Sequence, residues 1–319
     1  MNISIIIPTR NRLNDIKKIL DYYRLFEFEG KIFFLDSSNK KIFLETKKLI
    51  KKYKNRNIKH CRLIGRPFEC VKKILPKIKT KYVCLSGDDD FYIIEGLKKV
   101  VKILNTQKKI DAINGLTITA RILKEKYIIK RYSIYKNFFS KDDKPINRLV
   151  KILNDYKVPI FSIFRSYKFK KAINYVPEKK NRNLCPSRII HDEILEGLLL
   201  IFFNKIYKYD FPLLLRTVPQ KKYAESSALS MTNKIKLNKS QKKSFNYLKN
   251  LILNLLKNHN DKFIFKKNFN KFTEEYIKTK PKYLILLRAF KMQFEKFYAK
   301  TINNNFKIFF KLINWLEKN

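Results

Sequence analysis

The sequence predicts an α/β protein: a mostly parallel central sheet with helices on both faces, followed by a helical C-terminal region. Three observations predict it. Strand-like and helix-like patterns alternate from Met1 onward, which is the signature of strands joined by crossover helices. The strand-like runs are apolar throughout instead of at every second residue, as strands covered on both faces must be. From about Asn233 the strand signal stops and lysine-rich helical patterns take over.

In chain order, Ile3 to Ile7 is a continuous β-branched run that Pro8 stops. The segment "NRLNDIKKILDYYRLF" then spaces Leu13, Ile16, Ile19, Leu20 and Tyr23 at helical intervals, with Asn11 as its expected N-cap. "KIFFLDSS" is the second strand, and a helix is expected from Lys41 to Tyr53. "IKHCRLI", "RPFECVKKILPKI" and "KYVCLS" repeat the alternation, and "YIIEGLKKVVKILN" is an amphipathic helix. "DAINGLTITARI", "KYIIKRYSIY" and "VPIFSIFRS" read as further strands, and "PSRIIHDEILEGLLLIFF" as one helix that buries most of its circumference. "LLLRTVPQKKYAES" closes a first domain over residues 1–220. The second region, residues 233–319, includes "FNYLKNLILNLLKN" and "NNNFKIFFKLINWLEKN", with a boundary near Lys221 to Asn233.

Composition narrows the function. The chain carries 72 Lys and Arg against 27 Asp and Glu, a formal net charge of +45, and only 6 glycines in 319 residues. Such a potential suits nucleic acid, an anionic membrane surface or an acidic substrate, but abundant Lys, Ile, Asn and Phe also match the usage of an AT-rich genome. No helix-turn-helix, zinc-finger or aromatic-interleaved pattern supports nucleic acid. The four cysteines form no C-x-x-C pair and read as reduced, buried thiols. The apolar run in "MNISIIIPTRNR" is too short for a signal peptide, and Ile194 to Phe203, with Glu196 inside it, is too short to span a bilayer. The expectation is a cytoplasmic protein, with peripheral contact at the inner face of the cell membrane left open.

Chemistry gathers at strand ends, where open α/β sheets bind ligands. Pro8, Thr9, Arg10 and Asn11 follow the first strand, Asp36, Ser37 and Ser38 the second, and Asp88, Asp89 and Asp90 the fourth. Adjacent carboxylates repel one another. A divalent cation such as Mn²⁺ or Mg²⁺ relieves that repulsion, since it takes carboxylates together with substrate phosphates. One aspartate could cap the helix expected near Tyr92, but a cap does not account for three.

The ordered set "SIIIPTRNR", "FLDSS" and "YVCLSGDDDF" resembles the donor-binding half of the family-2 glycosyltransferases with the GT-A fold. The similarity runs over Met1 to Asp90 and more weakly to about Arg216. By this resemblance Pro8, Thr9 and Arg10 lie along a nucleoside, Asp36 contacts its base or ribose, and Asp88 and Asp90 form the acidic metal motif. Asp90 would be the direct ligand, Asp88 would lie nearer the ribose or sugar, and Asp89 could point either way. The resemblance implies a metal-dependent, inverting glycosyltransferase with a UDP-sugar as first-choice donor and a glycan or lipid-linked glycan as acceptor, as in surface polysaccharide synthesis. The catalytic base falls in "IIHDEILEG", on Asp192 or Glu193, with Asp192 favoured, although the pair reads Asp-Glu where the family has Glu-Asp. His191 reads more readily as a packed or surface histidine than as a base. Arg165, Arg188 and Arg216 are candidates to hold a pyrophosphate, although a lone arginine at a strand end is more often a surface ion pair. The competing classes are a nucleotidyltransferase on a similar sheet, weakened because "IIIPTRNRL" has no glycine-rich loop, and a basic nucleic-acid-binding protein. In the C-terminal region, amphipathic helices carrying Leu, Ile, Phe and Trp315 could lie on an anionic bilayer or pack against the first domain.

Overall fold

The computed structural model describes residues 1–55, 57–123, 128–135, 138–219 and 237–277. The boundary segment 221–233 and the final helix around Trp315 lie outside the described residues. The first half alternates as the sequence predicts: β1 (Ile3–Thr9), α1 (Leu13–Leu25), β2 (Lys31–Asp36), α2 (Lys40–Lys52), β3 (Ile58–Arg62), α3 (Pro67–Ile74) and β4 (Tyr82–Leu85). After β5 (Asp90–Tyr92) come α4 (Ile94–Thr106), β6 (Ala112–Leu123), β7 (Ile128–Tyr135), α5 (Pro145–Asn154), β8 (Ile163–Arg165) and α6 (Ser166–Ile173). A π-helical turn (Ile190–Leu195) runs into α7 (Glu196–Phe203), and β9 (Ile206–Pro219), α8 (Lys239–Leu255) and α9 (His259–Ile277) complete the described chain.

The sheet order is β3-β2-β1-β4-β8-β6-β9-β5, with β7 paired to β6. Strands β3, β2, β1 and β4 are mutually parallel, as are β6 and β9, whereas β8, β7 and β5 pair antiparallel with their neighbours. The continuous apolar runs now have their reason. Successive residues of a strand point to opposite faces, so Ile6 enters one buried cluster with Phe33, Leu35 and Val83. Ile5 and Ile7 enter the other, with Phe34, Cys84 and the inner faces of α1 and α4.

Two helix starts differ from expectation. Asn11 does not cap α1: its backbone is left-handed at φ 58°, a conformation asparagine tolerates, and its side chain accepts from Asn39 N–H instead. Asn39 is the cap of α2, accepting from Ile42 N–H at 3.0 Å. The helix expected over "PSRIIHDEILEG" opens as a π turn, one residue wider per turn than an α-helix.

The described part of the C-terminal region turns its apolar sides inward. Phe245, Leu248 and Ile252 of α8 and Phe265, Phe269 and Phe272 of α9 share the cluster that holds α5, α6 and α7. Phe269, 2% exposed, packs against Phe265 and Phe245 with ring centroids 5.3 and 6.0 Å apart. Phe269→Ala therefore tests whether residues 233–319 form a separate unit. A shared core predicts that the main urea-unfolding transition loses ~3–4 kcal/mol, and an unmoved main transition would establish two independent units. Among the described residues no helix is long and apolar enough to cross a membrane.

Candidate active site

The parallel strands deliver their polar ends to one edge. Thr9 pairs with Asp36 and Asp36 with Arg62 in the sheet register, and Ser37 N–H and Leu63 N–H extend the ladder to Thr9 and Asp36 carbonyls. The turn after β1 is fixed to the turn after β2, because Asn11 N–H donates to Ser38 Oγ at 2.7 Å. Over this edge lies a cleft of about 530 Å³ whose wall includes Pro8, Thr9, Arg10, Ser37 and Asp88, joined by Gly65, Arg66, Arg182 and Arg188. Five arginines, Arg10, Arg12, Arg66, Arg182 and Arg188, border it.

The three aspartates divide. Asp88 accepts from Thr9 Oγ1 at 2.8 Å, and Asp89 accepts from Arg12 at 3.3 Å. Asp90 is no longer in the turn: it opens β5, directly across from Arg216 of β9, whose Nε is 3.6 Å from Asp90 Oδ2. The guanidinium of Arg216 lies over the Phe161 ring, 4.6 Å from its centroid. Gly87 is required for space, not for an unusual φ, since no described glycine has positive φ. A Cβ there would come within 2.8 Å of Asp90 Oδ2 and 2.9 Å of Asp89 Oδ1. Burial pushes Asp88 up to about 6, and the neighbouring charge of Asp89 raises it further against the pull of Arg12. Burial also pushes Asp90 up to about 7 against the opposing pull of Arg216. These carboxylates are held close in a low-dielectric pocket with less positive charge than they could use. Their hard oxygens are of the kind Mn²⁺ or Mg²⁺ takes, and among the described residues the three are not drawn into a set whose ligand atoms all lie within 4.8 Å of one another.

That excess charge gives a stability prediction. Asp90's raised folded value means that its contribution is fully present below the unfolded value near 3.8 and is lost as pH climbs through about 7. Asp90→Asn removes this loss. In urea denaturation of the ligand-free chain, the variant should gain on the parent by ~2 kcal/mol more at pH 8 than at pH 5; an equal difference at both pH values would contradict it.

Asp36 takes a different place from the rest. It is 0% exposed at the end of β2, where its carboxylate meets His60 Nε2 at 2.8 Å and Ser38 N–H at 2.8 Å. Burial alone would raise its pKa, but these hydrogen bonds outweigh burial and hold it below the usual carboxylate value. His60 is itself stacked on Phe43 at 4.5 Å. Ser37, not Asp36, borders the cleft.

Asp192 and Glu193 lie on the π turn. Asp192 Oδ2 is 3.4 Å from Arg188 Nε, which connects it to the cleft wall. Glu193 is raised by burial against the pull of Arg216, the arginine that also faces Asp90. Arg165, one of the pyrophosphate candidates, sits at the opposite sheet edge beside Tyr82 and donates to the carbonyls of Ile110, Leu104 and Gln107.

Sequence reasoning missed Arg66 and Arg182. Arg66 donates to the carbonyls of Cys185 and Pro186 at 2.7 and 2.8 Å, and Arg182 grips both oxygens of buried Glu69. The first had a signal: "LIGRP" follows the third strand, which ends on the same edge as the other three. Arg182 had none, because only the long-range pairing with Glu69 brings it there.

A parallel β3-β2-β1-β4 half whose strand ends carry the polar groups, extended by a mixed second half and covered by helices, is the GT-A fold. Solved structures of that fold superpose on the chain. The S. aureus TarS 1–349 complex with UDP-GlcNAc aligns with a TM-score of 0.58 and 18% identity over 85% of this chain and 72% of that one. Its UDP complex gives 0.53, 18%, 85% and 71%, and the TarS 1–349 structure whose name mentions no ligand gives 0.50, 16%, 86% and 91%. No protein-family profile matches the sequence, and no curated protein does.

Proposed function

We propose that this chain is a metal-dependent, inverting glycosyltransferase that moves a sugar from a UDP-sugar to a hydroxyl of a glycan or lipid-linked glycan. The observation that carries the reading is the meeting, in one cleft, of the β1 turn, Asp88 of the β4 turn and arginines from three loops. Solved chains of the same fold hold UDP-GlcNAc and UDP. In this reading Pro8, Thr9, Arg10 and Ser37 flank the nucleoside, with Asp36 supporting that wall from behind through Ser38. Arg66, Arg182 and Arg188 meet the diphosphate, whose paired oxygens suit the planar guanidinium fork.

Asp90 with Asp88 would hold Mn²⁺ or Mg²⁺, with Asp89 beside them. The ion, when bound, offsets charge on the departing diphosphate without a proton. Asp192 takes the proton of the acceptor hydroxyl as its oxygen attacks the anomeric carbon and the bond to the diphosphate breaks. Glu193, next to Asp192 on the π turn, is the second candidate for that role. The test is UDP release from a panel of UDP-sugars, UDP-GlcNAc first, with Mn²⁺ or with EDTA. Metal-dependent release supports the reading; absence of release from every donor sinks it.

The exposed lysines of α8 and α9 extend the reading to an anionic membrane surface near a lipid-linked acceptor. Stronger pelleting with anionic than with neutral vesicles is the expected result, and equal pelleting counts against it.

A further inference from the structure

Below Asp192 lies a buried group that the transfer chemistry above leaves unused. His191 and Glu196 are both 0% exposed. Nδ1 of His191 is 2.7 Å from Asp192 Oδ1 and 3.4 Å from Glu196 Oε1. Neither oxygen of Glu196 has a hydrogen-bond partner, and burial together with nearby Asp192 raises its pKa well above the usual value. The π turn makes this grouping possible. In an α-helix residues five apart point about 140° away from each other, whereas the wider π turn stacks them on one face. Tyr156 supports the turn by donating its hydroxyl to the Glu193 carbonyl at 2.6 Å, with Gly197 leaving room for that hydroxyl.

Among the described residues this is the one set of three or more His, Cys, Asp or Glu side chains whose ligand atoms all lie within 4.8 Å of one another; the three carboxylates Asp88 to Asp90 are not gathered so closely. The spacing argues for a different use. Two ligands of one ion with bonds near 2.0 Å stand about 3.3 Å apart in a tetrahedral site, and 2.7 Å is a hydrogen-bond length.

We propose that His191, held in the π turn beside Glu196, is the positioning residue for Asp192. Its Nδ1–H fixes one carboxylate oxygen from below, while the exposed Arg188 stands 3.4 Å from the other on the cleft side as an ion pair without a hydrogen bond. Asp192 is thereby presented to the acceptor in one orientation, as a histidine ring is fixed by its own partner in other sites. This role rests on the reading of Asp192 as the base.

The experiment uses the full chain with UDP-GlcNAc and other UDP-sugars, measuring UDP release, together with imidazole N–H resonances of the ¹⁵N-labelled protein. The chain has 3 histidines, so assignment by substitution is direct. The expected result is a downfield, slowly exchanging Nδ1–H resonance that disappears in His191→Leu and moves upfield in Asp192→Asn, where a neutral amide oxygen replaces the carboxylate. His191→Leu should lower kcat by about 10- to 100-fold with KM for the donor within about twofold. His191→Asn, whose amide reproduces the Nδ1 donor, should restore most of kcat. If His191→Leu does not fold, the Asn variant and the resonance still decide.

Unchanged kcat in His191→Leu beside an inactive Asp192→Asn overturns the positioning role alone. So does an Asn variant as poor as Leu, or an Nδ1 bound by stoichiometric metal and lacking its proton. An active Asp192→Asn overturns the base and the positioning role together, as does a parent chain that releases UDP from no donor.

Discussion

Asp192→Asn should bind UDP with nearly the parent affinity and lose sugar transfer by about 10²- to 10⁴-fold, the span a positioned general base contributes. The split follows from where the residue stands. Asp192 is on the π turn, on a different element from the Thr9 and Asp88 hydrogen bond at the β1 turn, and reaches the cleft wall through Arg188. Asparagine keeps the size of the side chain and its acceptor oxygen toward His191 or Arg188, but cannot accept the acceptor's proton at neutral pH. The measurement is kcat by UDP release beside Kd by calorimetry. Retained turnover would move the role to Glu193, whose half-buried carboxyl is already displaced upward.

The second large effect concerns Asp90. Asp90→Asn should weaken Mn²⁺-dependent UDP binding by about 100-fold, or ~3 kcal/mol, because the ion loses a charged ligand in a site 3% exposed. In EDTA the parent and variant should bind UDP alike. The same change stabilises the ligand-free chain at high pH, so loss of binding would come with a gain in stability. That combination identifies a site kept under electrostatic tension for ligand. Loss of both together would mark Asp90 as a structural partner of Arg216 only.

Much of the donor half was legible because its physics is local. An apolar run such as Ile3 to Ile7 declares a strand with two covered faces, and a polar turn directly after it declares which edge faces solvent. Pro8, Thr9, Arg10 and Asp88 therefore reached one cleft from sequence pattern alone. What was not legible depends on pairings far apart in the chain. Nothing in "GDDDF" says that Asp90 will join a strand and face Arg216, since that follows from the register of β5 on β9. Nothing in "FLDSS" says that His60 will claim Asp36, although the two sit on neighbouring strands. The π turn was hidden for another reason: "IIHDEILEG" has ordinary helical spacing, and the extra residue per turn shows only in the backbone. The apolar sides of α8 and α9 read in the sequence as packing on the first domain more readily than as membrane-facing, and the described part shares its core with α5 and α7.

The central claim is that the arginine-bordered cleft is a donor site for a nucleoside diphosphate. Calorimetric titration of UDP into the full chain, with Mn²⁺ and again with EDTA, tests it most directly. The account predicts one UDP per chain, bound at least tenfold more tightly with Mn²⁺ and weakened by Asp90→Asn. No saturable binding, or binding indifferent to both metal and Asp90, would contradict it.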